Sequence, residues 1–558
     1  MAIKILASEV ASKIAAGEVI ERPASVIKEL IENCLDAAAT QIAVEAQGGG
    51  VELIKVSDNG TGIASSELEL AFHRYATSKI GDLEDLERIS SLGFRGEALP
   101  SIAAVADVEV LTKTPSHPTA DYICLRNGEV VRRETRARAQ GTTVTVNRLF
   151  RHFPARLKFL KSTSTENGHI ANLVSQYALA FPEVRFSLTL DGRGSIGSPG
   201  DGDLRQAVSA IYGPELAQVM LKIEHRDGLA KVSGLIGPPA SARSSRNWLS
   251  FFVNRRWVRS ALLIRATTEA YRGLLPDGKH PVVVINVWLP PQELDVNIHP
   301  AKAEVKFCHE QAVFGEVRKA IEQALARTPI PASPKAVPFW PGYGQWQSPR
   351  MIMDNEPVFA VAQLPTMELP VLRILGQMAG TYIIAEGPDG LYLIDQHAAH
   401  ERILYDRILG QLSRREVEVQ GLLEPITMEL SPREEETLRS IMESLVEFGF
   451  SIEPFGNRSY LIRAIPALMA AADIVDTVTI LLDTLSGKGG RDSWEEKIAQ
   501  SLACHGSIRA GQQLSSEEMS ELVKQLEQTG QPRACPHGRS TMIHLSSHRL
   551  EKEFGRIG

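Results

Sequence analysis

The chain has 558 residues, too many for one hydrophobic core and enough for three or four folding units. Its formal charge of −7 excludes a generic polyanion binder, so any nucleic-acid contact must come from local basic patches. No apolar run of about twenty residues and no signal-peptide pattern argue for a membrane or for export. Five scattered cysteines make no disulfide framework and fit a reducing cytoplasm.

In chain order, residues 5–21 read as a short helical arm that could close over a neighbouring site. The stretch ERPASVIKELIENCLDAA at 21–38 follows. On a helix, Glu29, Asn33 and Asp36 fall within roughly 60° of one another. Ile27, Leu30, Ile31, Cys34 and Leu35 cover the other side, and Pro23 suits the first turn. By itself this is an ordinary amphipathic helix. A carboxylate and an amide one turn apart are also what activates a water and holds a hydrated cation.

Residues 41–63 predict strand, glycine turn and strand, ending in Asp58-Asn59-Gly60-Thr61-Gly62. An acid at a strand end accepts the exocyclic amine of adenine, and glycines let a flat base approach the backbone. Thr77, Ser78 and Lys79 come next, then an acidic lid-like segment. Gly93, Phe94, Arg95, Gly96 and Glu97 stand before a helix start, where backbone N–H groups cradle phosphate. Gly141-Thr142-Thr143-Val144 opens another strand.

Four such elements in this order resemble the GHKL ATPases. More narrowly, AGEVIERPASVIKELIENCLDA, ATSKI and GFRGEAL are similar to the MutL family of mismatch-repair ATPases, over residues 1–325. The resemblance implies Glu29 as general base, Asn33 as Mg²⁺ ligand and Asp58 with Gly62 as adenine site. It also implies ATP phosphate contacts from Thr77, Ser78, Lys79 and the 93–97 loop, with Thr142 and Thr143 near the base. Tyr75 stands where the family usually has His.

Arg148, Arg151, Arg156, Lys158 and Lys161 form an acid-free run. From about 212 the pattern turns to strands with one or two helices. Lys302 follows His299-Pro300, and the resemblance implies that it reaches the γ-phosphate. Between 243 and 272, Arg243, Arg246, Arg255, Arg256, Arg259, Arg265 and Arg272 face a single acid, Glu269. A phosphate backbone is the expected partner, with Arg148 and Arg156 contributing. Arg255 replaces a glycine often seen in the family.

Nine prolines in the 43 positions 328–370 predict an extended tether, roughly 40 Å if coil-like and up to ~130 Å if stretched. Beyond it, residues 372–409 predict strand, turn, strand and then a helix. Asp395 ends a strand, and His397 and Glu401 share a helical face. Cys504 lies on a later helix beside His505, and Cys535 and His537 lie in a loop before a strand. Thiolate, imidazole and carboxylate together suit Zn²⁺, while open carboxylate positions suit Mn²⁺ or Mg²⁺. Cys34, Cys124 and Cys308 lack such neighbours and are expected in the core.

DQHAAHE, ACHGSIRAG, CPHGR and the terminal EFGRI resemble the C-terminal domain of endonuclease-type members of the family. The resemblance implies metal binding by Asp395, His397, Glu401, Cys504, Cys535 and His537, with Asp395 and Glu401 serving strand nicking. Asp406, one methylene shorter than the family's Glu, is not expected to ligate. Gln420, Leu422, Leu423 and Pro425 resemble a sliding-clamp peptide, although an edge strand accounts for them equally. Ser431 with Glu434, and Ser515 with Glu518, predict capping boxes.

The expected architecture is α+β with α/β parts in four segments. Residues 1–211 form a GHKL-type ATPase sandwich, and 212–327 a ribosomal-protein-like α/β subdomain carrying Lys302. Residues 328–370 form the linker. Residues 371–558 form an α+β dimerisation and endonuclease domain, with about 426–500 as an external subdomain. The implied function is mismatch repair by an ATP-gated dimeric clamp that nicks DNA. The implied partners are DNA, a MutS-type mismatch sensor, a sliding clamp and a second copy of the chain. The implied location is bacterial cytoplasm, at the nucleoid. The alternative is an ATPase matchmaker whose zinc is structural. A topoisomerase of the same superfamily fits poorly, because nothing resembles its catalytic tyrosine region.

Overall fold

A computed structural model describes residues 20–74, 76–77, 96–226, 228–243, 245–275, 278–295, 305–326, 371–456, 458–469, 474–485, 491–508, 511–554 and 556. The chain divides into two compact units. One comprises Met1–Leu325 with Gln411–Leu502, and the other Ala326–Gly410 with Ala503–Gly558. All of the expected arm but its last two residues, the linker, Lys302 and most of the lid lie outside the described residues.

The first unit opens with helix α1 (Pro23–Asp36), which starts on Pro23 as expected. Val26, Ile27, Leu30, Ile31 and Cys34 are buried on one side. Each fully buried aliphatic side chain contributes about 1.5–3 kcal/mol, so this face, rather than helix propensity, holds α1 in place. Strands β1 (Gln41–Gln47) and β2 (Leu53–Asp58) follow. Helix α2 (Ala98–Val105) leads to β3 (Asp107–Lys113), β4 (Ala120–Arg126), β5 (Glu129–Arg136) and β6 (Gly141–Asn147). Helices α3 (Pro154–Phe159) and α4 (Thr163–Ala180) precede β7 (Arg185–Leu190) and β8 (Arg193–Gly197).

The eight strands form one sheet in the order β5-β4-β3-β6-β2-β1-β7-β8. In β1, Ile42, Val44 and Ala46 are buried while Gln41 and Ala43 are exposed. That alternation is the mark of a sheet with one covered face. The strand β1 pairs parallel to β7 but antiparallel to β2. The crossover this requires carries α4 onto the covered face, where it packs against α1.

Helices α5 (Leu204–Tyr212) and α6 (Pro214–Val219) lead into a five-stranded sheet ordered β12-β11-β13-β10-β9. It comprises β9 (Leu221–His225), β10 (Lys231–Ile236), β11 (Leu249–Val253), β12 (Arg256–Trp257) and β13 (Val283–Trp288). Helices α7 (Ala261–Ala270) and α8 (Glu310–Ala326) cover one face through Leu263, Ala266, Val317 and Ile321. Leu235, Phe252 and Val284 join the core of the first sheet from the other face. Strands β14 (Leu294–Asp295) and β15 (Lys306–Phe307) form a short pair.

In the second unit, β16 (Arg373–Met378), β17 (Tyr382–Gly387) and β18 (Gly390–Asp395) form an antiparallel meander. It leads directly into α9 (Gln396–Arg414). Segment 411–502, part of the first unit, holds β19 (Val419–Glu429), α10 (Pro432–Glu447), β20 (Ser451–Pro454), β21 (Ser459–Pro466) and α11 (Ile474–Leu485). Helix α12 (Arg491–Gly506) returns the chain to the second unit. Helix α13 (Ser516–Glu527) and strand β22 (Met542–Ser546) complete its core, with β22 pairing to β18. Both expected capping boxes form, on α10 and on α13.

Candidate functional sites

At the first site, α1 lies against the end of β2. Glu29, Asn33 and Asp36 are all half-buried on its outer stripe. One residue past Asn33, the Cys34 thiol points inward and donates to Asp58 Oδ2 at 3.4 Å. Asp58 Oδ1 accepts from the Gly60 N–H at 2.7 Å and the Thr142 N–H at 3.2 Å. The carboxylate is therefore clamped from three directions by α1, its own loop and β6. Burial and the neighbouring Asp58 hold the Cys34 thiol well above the usual range, so it donates and does not ionise.

Hydroxyls line the same floor. Thr142 Oγ1 lies 3.0 Å from Thr112 Oγ1, which also accepts from Ile63 N–H at 2.8 Å. Thr143 Oγ1 is hydrogen-bonded with Ser57 Oγ. Two glycines permit this closeness. A methyl group on Gly141 (φ +117°) would overlap the Asp58 carbonyl, and one on Gly62 (φ +73°) would overlap that of Lys113.

Arg138 was not predicted, since nothing in its spacing marks it. Its guanidinium donates to Ser57 Oγ at 3.2 Å and to the Asp58 carbonyl at 3.0 Å. Of the expected phosphate contacts, Thr77, Gly96 and Glu97 are described, and a methyl on Gly96 (φ +60°) would overlap the Ala76 carbonyl. Tyr75, Ser78, Lys79, Gly93, Phe94, Arg95 and Lys302 lie outside the described residues.

The second site gathers within the second unit. His397 and Glu401 stand one turn apart on α9, with Nε2 and Oε1 3.4 Å apart. Cys504 arrives from α12, and one ligand atom from each of the three lies within 4.8 Å of the others. His537 Nε2 is 4.0 Å from Glu401 Oε1, carried by a tight turn in which Gly538 N–H bonds the Cys535 carbonyl. Cys535 is buried and near enough for its charge to act on Cys504.

The His397 tautomer is set from behind. Its Nδ1 lies 2.8 Å from the Ile508 carbonyl and 3.0 Å from Ser507 Oγ, whose own proton goes to the Cys504 carbonyl. Nδ1 therefore carries the hydrogen, and the Nε2 lone pair faces Glu401 and Cys504. Burial and the Glu401 carboxylate push the Cys504 thiol up to about 12. A bound divalent cation reverses that balance. A nitrogen, a carboxylate oxygen and a sulfur, preoriented at this spacing, fit a zinc-type ion.

Asp395 is placed differently. Its Oδ1 accepts from the N–H groups of His397 and Ala398 at 3.0 and 3.1 Å, so it caps α9 beside the three-residue group. Asp406 is held by Arg402 at 2.7 Å and by Gly530 N–H at 2.9 Å. Ser507 and Ile508 were missed in the sequence, being a common hydroxyl and a backbone carbonyl.

One expectation is corrected. Cys308 is not a core residue but an exposed one, because the residues after β15 run along the surface before α8 begins. Cys34 and Cys124 are buried as expected.

Several basic candidates already have internal partners. Arg148 pairs with Asp107 and Arg255 with Glu183. Arg156 donates to the Ile20 carbonyl at 3.3 Å, and Arg246 to His280 at 3.4 Å. Arg243, Arg259 and Arg265 lie over Trp248, Trp257 and Phe314. Arg256, on β12, pairs through the backbone with Val253 of β11. Arg148, Arg246, Arg259 and Arg265 are exposed, and Arg156, Arg243, Arg255 and Arg256 are half-buried. The stretch Gln420, Leu422, Leu423, Pro425 lies on β19, an edge strand. Its register with β21 jumps between Gly421 and Ile426, leaving Leu423 100% exposed.

The fold and the first site define an ATPase of the GHKL class. Residues 20–146 match the model for histidine kinase-, DNA gyrase B- and HSP90-like ATPases. Residues 208–326 match the C-terminal domain of DNA mismatch repair protein, and 375–514 the MutL C terminal dimerisation domain. The chain is 40% identical to DNA mismatch repair protein MutL of Methanothrix thermoacetophila, over 99% of each chain. It is 38% identical to that of Geobacillus kaustophilus, over 100% of this chain and 99% of that one. The solved Aquifex aeolicus MutL ATPase domain complexed with ADP, 25% identical, covers 56% of this chain and 100% of its own with a TM-score of 0.39. The chain belongs to the MutL family of DNA mismatch repair proteins.

Proposed function

We propose that this protein couples ATP turnover to nicking of DNA during mismatch repair. The carrying observation is that Cys34 ties α1 to Asp58, fixing the Glu29 and Asn33 stripe relative to the base-reading acid. Asp58 accepts the adenine amine, and Thr142 and Thr143 lie beside it. Asn33 would hold Mg²⁺. Glu29 takes the proton from the attacking water, a role worth roughly 10²–10⁴-fold in rate. Ser78, Lys79, the 93–97 loop and Lys302 are assigned to the phosphates on the resemblance alone.

In the second site, His397, Glu401 and Cys504 would hold a zinc or manganese ion, with Cys535, His537 and Asp395 alongside. Such an ion supplies Lewis-acid and water-activating chemistry when bound. The chain's own part is to present the His397 Nε2 lone pair and to keep the Glu401 carboxylate in a dry, buried position. The exposed basic residues of 243–265, with Arg148 and Arg156, would meet the DNA backbone. The protruding Leu423 would seat in a sliding clamp, and the dimerisation domain would pair two copies. A MutS-type sensor would supply the mismatch signal, in the cytoplasm.

The test is incubation of supercoiled plasmid with the protein and Mn²⁺, beside Asp395→Asn and Cys504→Ala. The expected result is nicked circles from the natural sequence alone. Equal nicking by all three would sink the nuclease reading and leave the ATPase matchmaker with structural zinc. In parallel, Glu29→Gln should abolish ATP turnover while retaining ATP binding.

A further inference from the structure

Segment 411–502 carries sixteen acidic and nine basic residues, a net −7 that equals the charge of the whole chain. The remainder is therefore balanced, and the acidity is concentrated in one module. Within the first unit this module is packed on the ATPase fold. Its helix α10 lies along α4, and Arg458, only 8% exposed, donates to the Ala210 carbonyl.

The polar contacts fall at the start of the basic stretch and just beyond its end. Asn247 donates to Asp483 Oδ1 at 2.6 Å and accepts from Arg433 at 3.1 Å. Lys279 forms an ion pair with Asp476. Arg243 acts on Glu429 electrostatically, and its neighbour Trp248 is buried. Asn247 and Lys279, on segments joined by the Arg243–His280 bridge, thus directly contact Asp483, Arg433 and Asp476 of the module.

We infer that segment 411–502 is an intramolecular competitor for DNA: docked, it occupies part of the basic face assigned above to the phosphate backbone. The inference rests on that DNA-binding reading. Carboxylates there stand where phosphates would, so DNA and module exclude one another. Their exchange depends on salt, because both contacts are between charges. The packing of α4 between α10 and α1 also places the docked module one helix away from Glu29.

A disulfide tests this in the full chain. A Cβ on Gly168 would lie 3.6 Å from Arg433 Cγ, so Gly168→Cys with Arg433→Cys, on a Cys308→Ser background, can lock the docked state. Anisotropy of a short fluorescein-labelled duplex should show about tenfold weaker binding when oxidised, recovered with dithiothreitol. Asp476→Lys, which loses the Lys279 pair, should bind about threefold more tightly at low salt. Equal affinity of the oxidised and reduced forms, or failure of the two cysteines to join in the folded chain, overturns the docking inference. Absence of DNA binding in the reduced natural sequence overturns instead the DNA-binding reading beneath it.

Discussion

The Tyr177 hydroxyl donates to Glu32 Oε1 at 2.8 Å, joining the last turn of α4 to the helix that carries Glu29. Both groups are buried, and burial with the Glu32 charge holds the Tyr177 phenol well above its usual range. Lys28 completes the arrangement 3.7 Å from Glu32. Tyr177→Phe leaves a buried carboxylate short of its donor, at a cost of about 1–3 kcal/mol. Urea unfolding followed by fluorescence measures this, and an unchanged midpoint would show that the bond carries no net stability.

Gly141→Ala should be the most damaging single methyl in the nucleotide site. The added carbon meets the Asp58 carbonyl at a φ that side chains rarely adopt. Relief requires β6 to move, which breaks the Thr142 N–H contact to Asp58. Calorimetric titration with ADP should show lost binding, whereas Gly128→Ala, with open space around it, should bind as the natural sequence does.

Metal retention should depend on the shell behind His397 as well as on the ligands. Cys504→Ala should lose the ion after dialysis, read by elemental analysis. Ser507→Ala removes one acceptor from Nδ1 and should weaken affinity about tenfold. A zinc affinity unaffected by either change would place the ion elsewhere.

Arg255 adopts φ +67°, a conformation that suits glycine. It is compensated by the Glu183 pair and by stacking over Phe181 and Trp288. Exposed contacts of these kinds are worth about 0.5–1 kcal/mol each, close to the backbone cost. Arg255→Gly should therefore change stability by less than about 1 kcal/mol. Arg255→Ala keeps the strain and loses the contacts, so it should melt at a lower temperature than the glycine variant.

Burial, with Arg22 and then Arg433 and Arg259 nearby, pushes His169 from its ordinary 6.5 down to about 4. Above 6.5 neither state is protonated and the contribution is fully present. As pH falls from 6.5 towards 4 the unfolded chain takes up the proton first, and stability is lost. His169→Gln should flatten that part of the urea-midpoint profile. An identical acid slope would assign it to other groups.

Local periodicity was sufficient for α1 and the capped helices α10 and α13, because each buries one face on a regular repeat, whereas residues 372–395 read as two strands and fold as the three strands β16–β18. The ATPase class was legible through short motifs that place several polar groups on one turn or loop, and the sequence also picked out His397, Glu401 and Cys504, which the fold brings together. Cys308 was misread because a lone cysteine gives no sign of which way its loop faces. Asp395 illustrates another gap: its place at a strand end is visible in the chain, but its use as a helix cap depends on backbone direction.

The amino-acid order alone determined the family, through short motifs, and the helix stripe of Glu29 and Asn33, whose members stand one turn apart. Only the tertiary structure decided that Cys34 and Thr142 clamp Asp58, that Ile508 orients His397, and that Asp483 and Asp476 of acidic segment 411–502 meet Asn247 and Lys279. Those contacts join residues tens to hundreds of positions apart, and only the packing of the core brings them within hydrogen-bonding range.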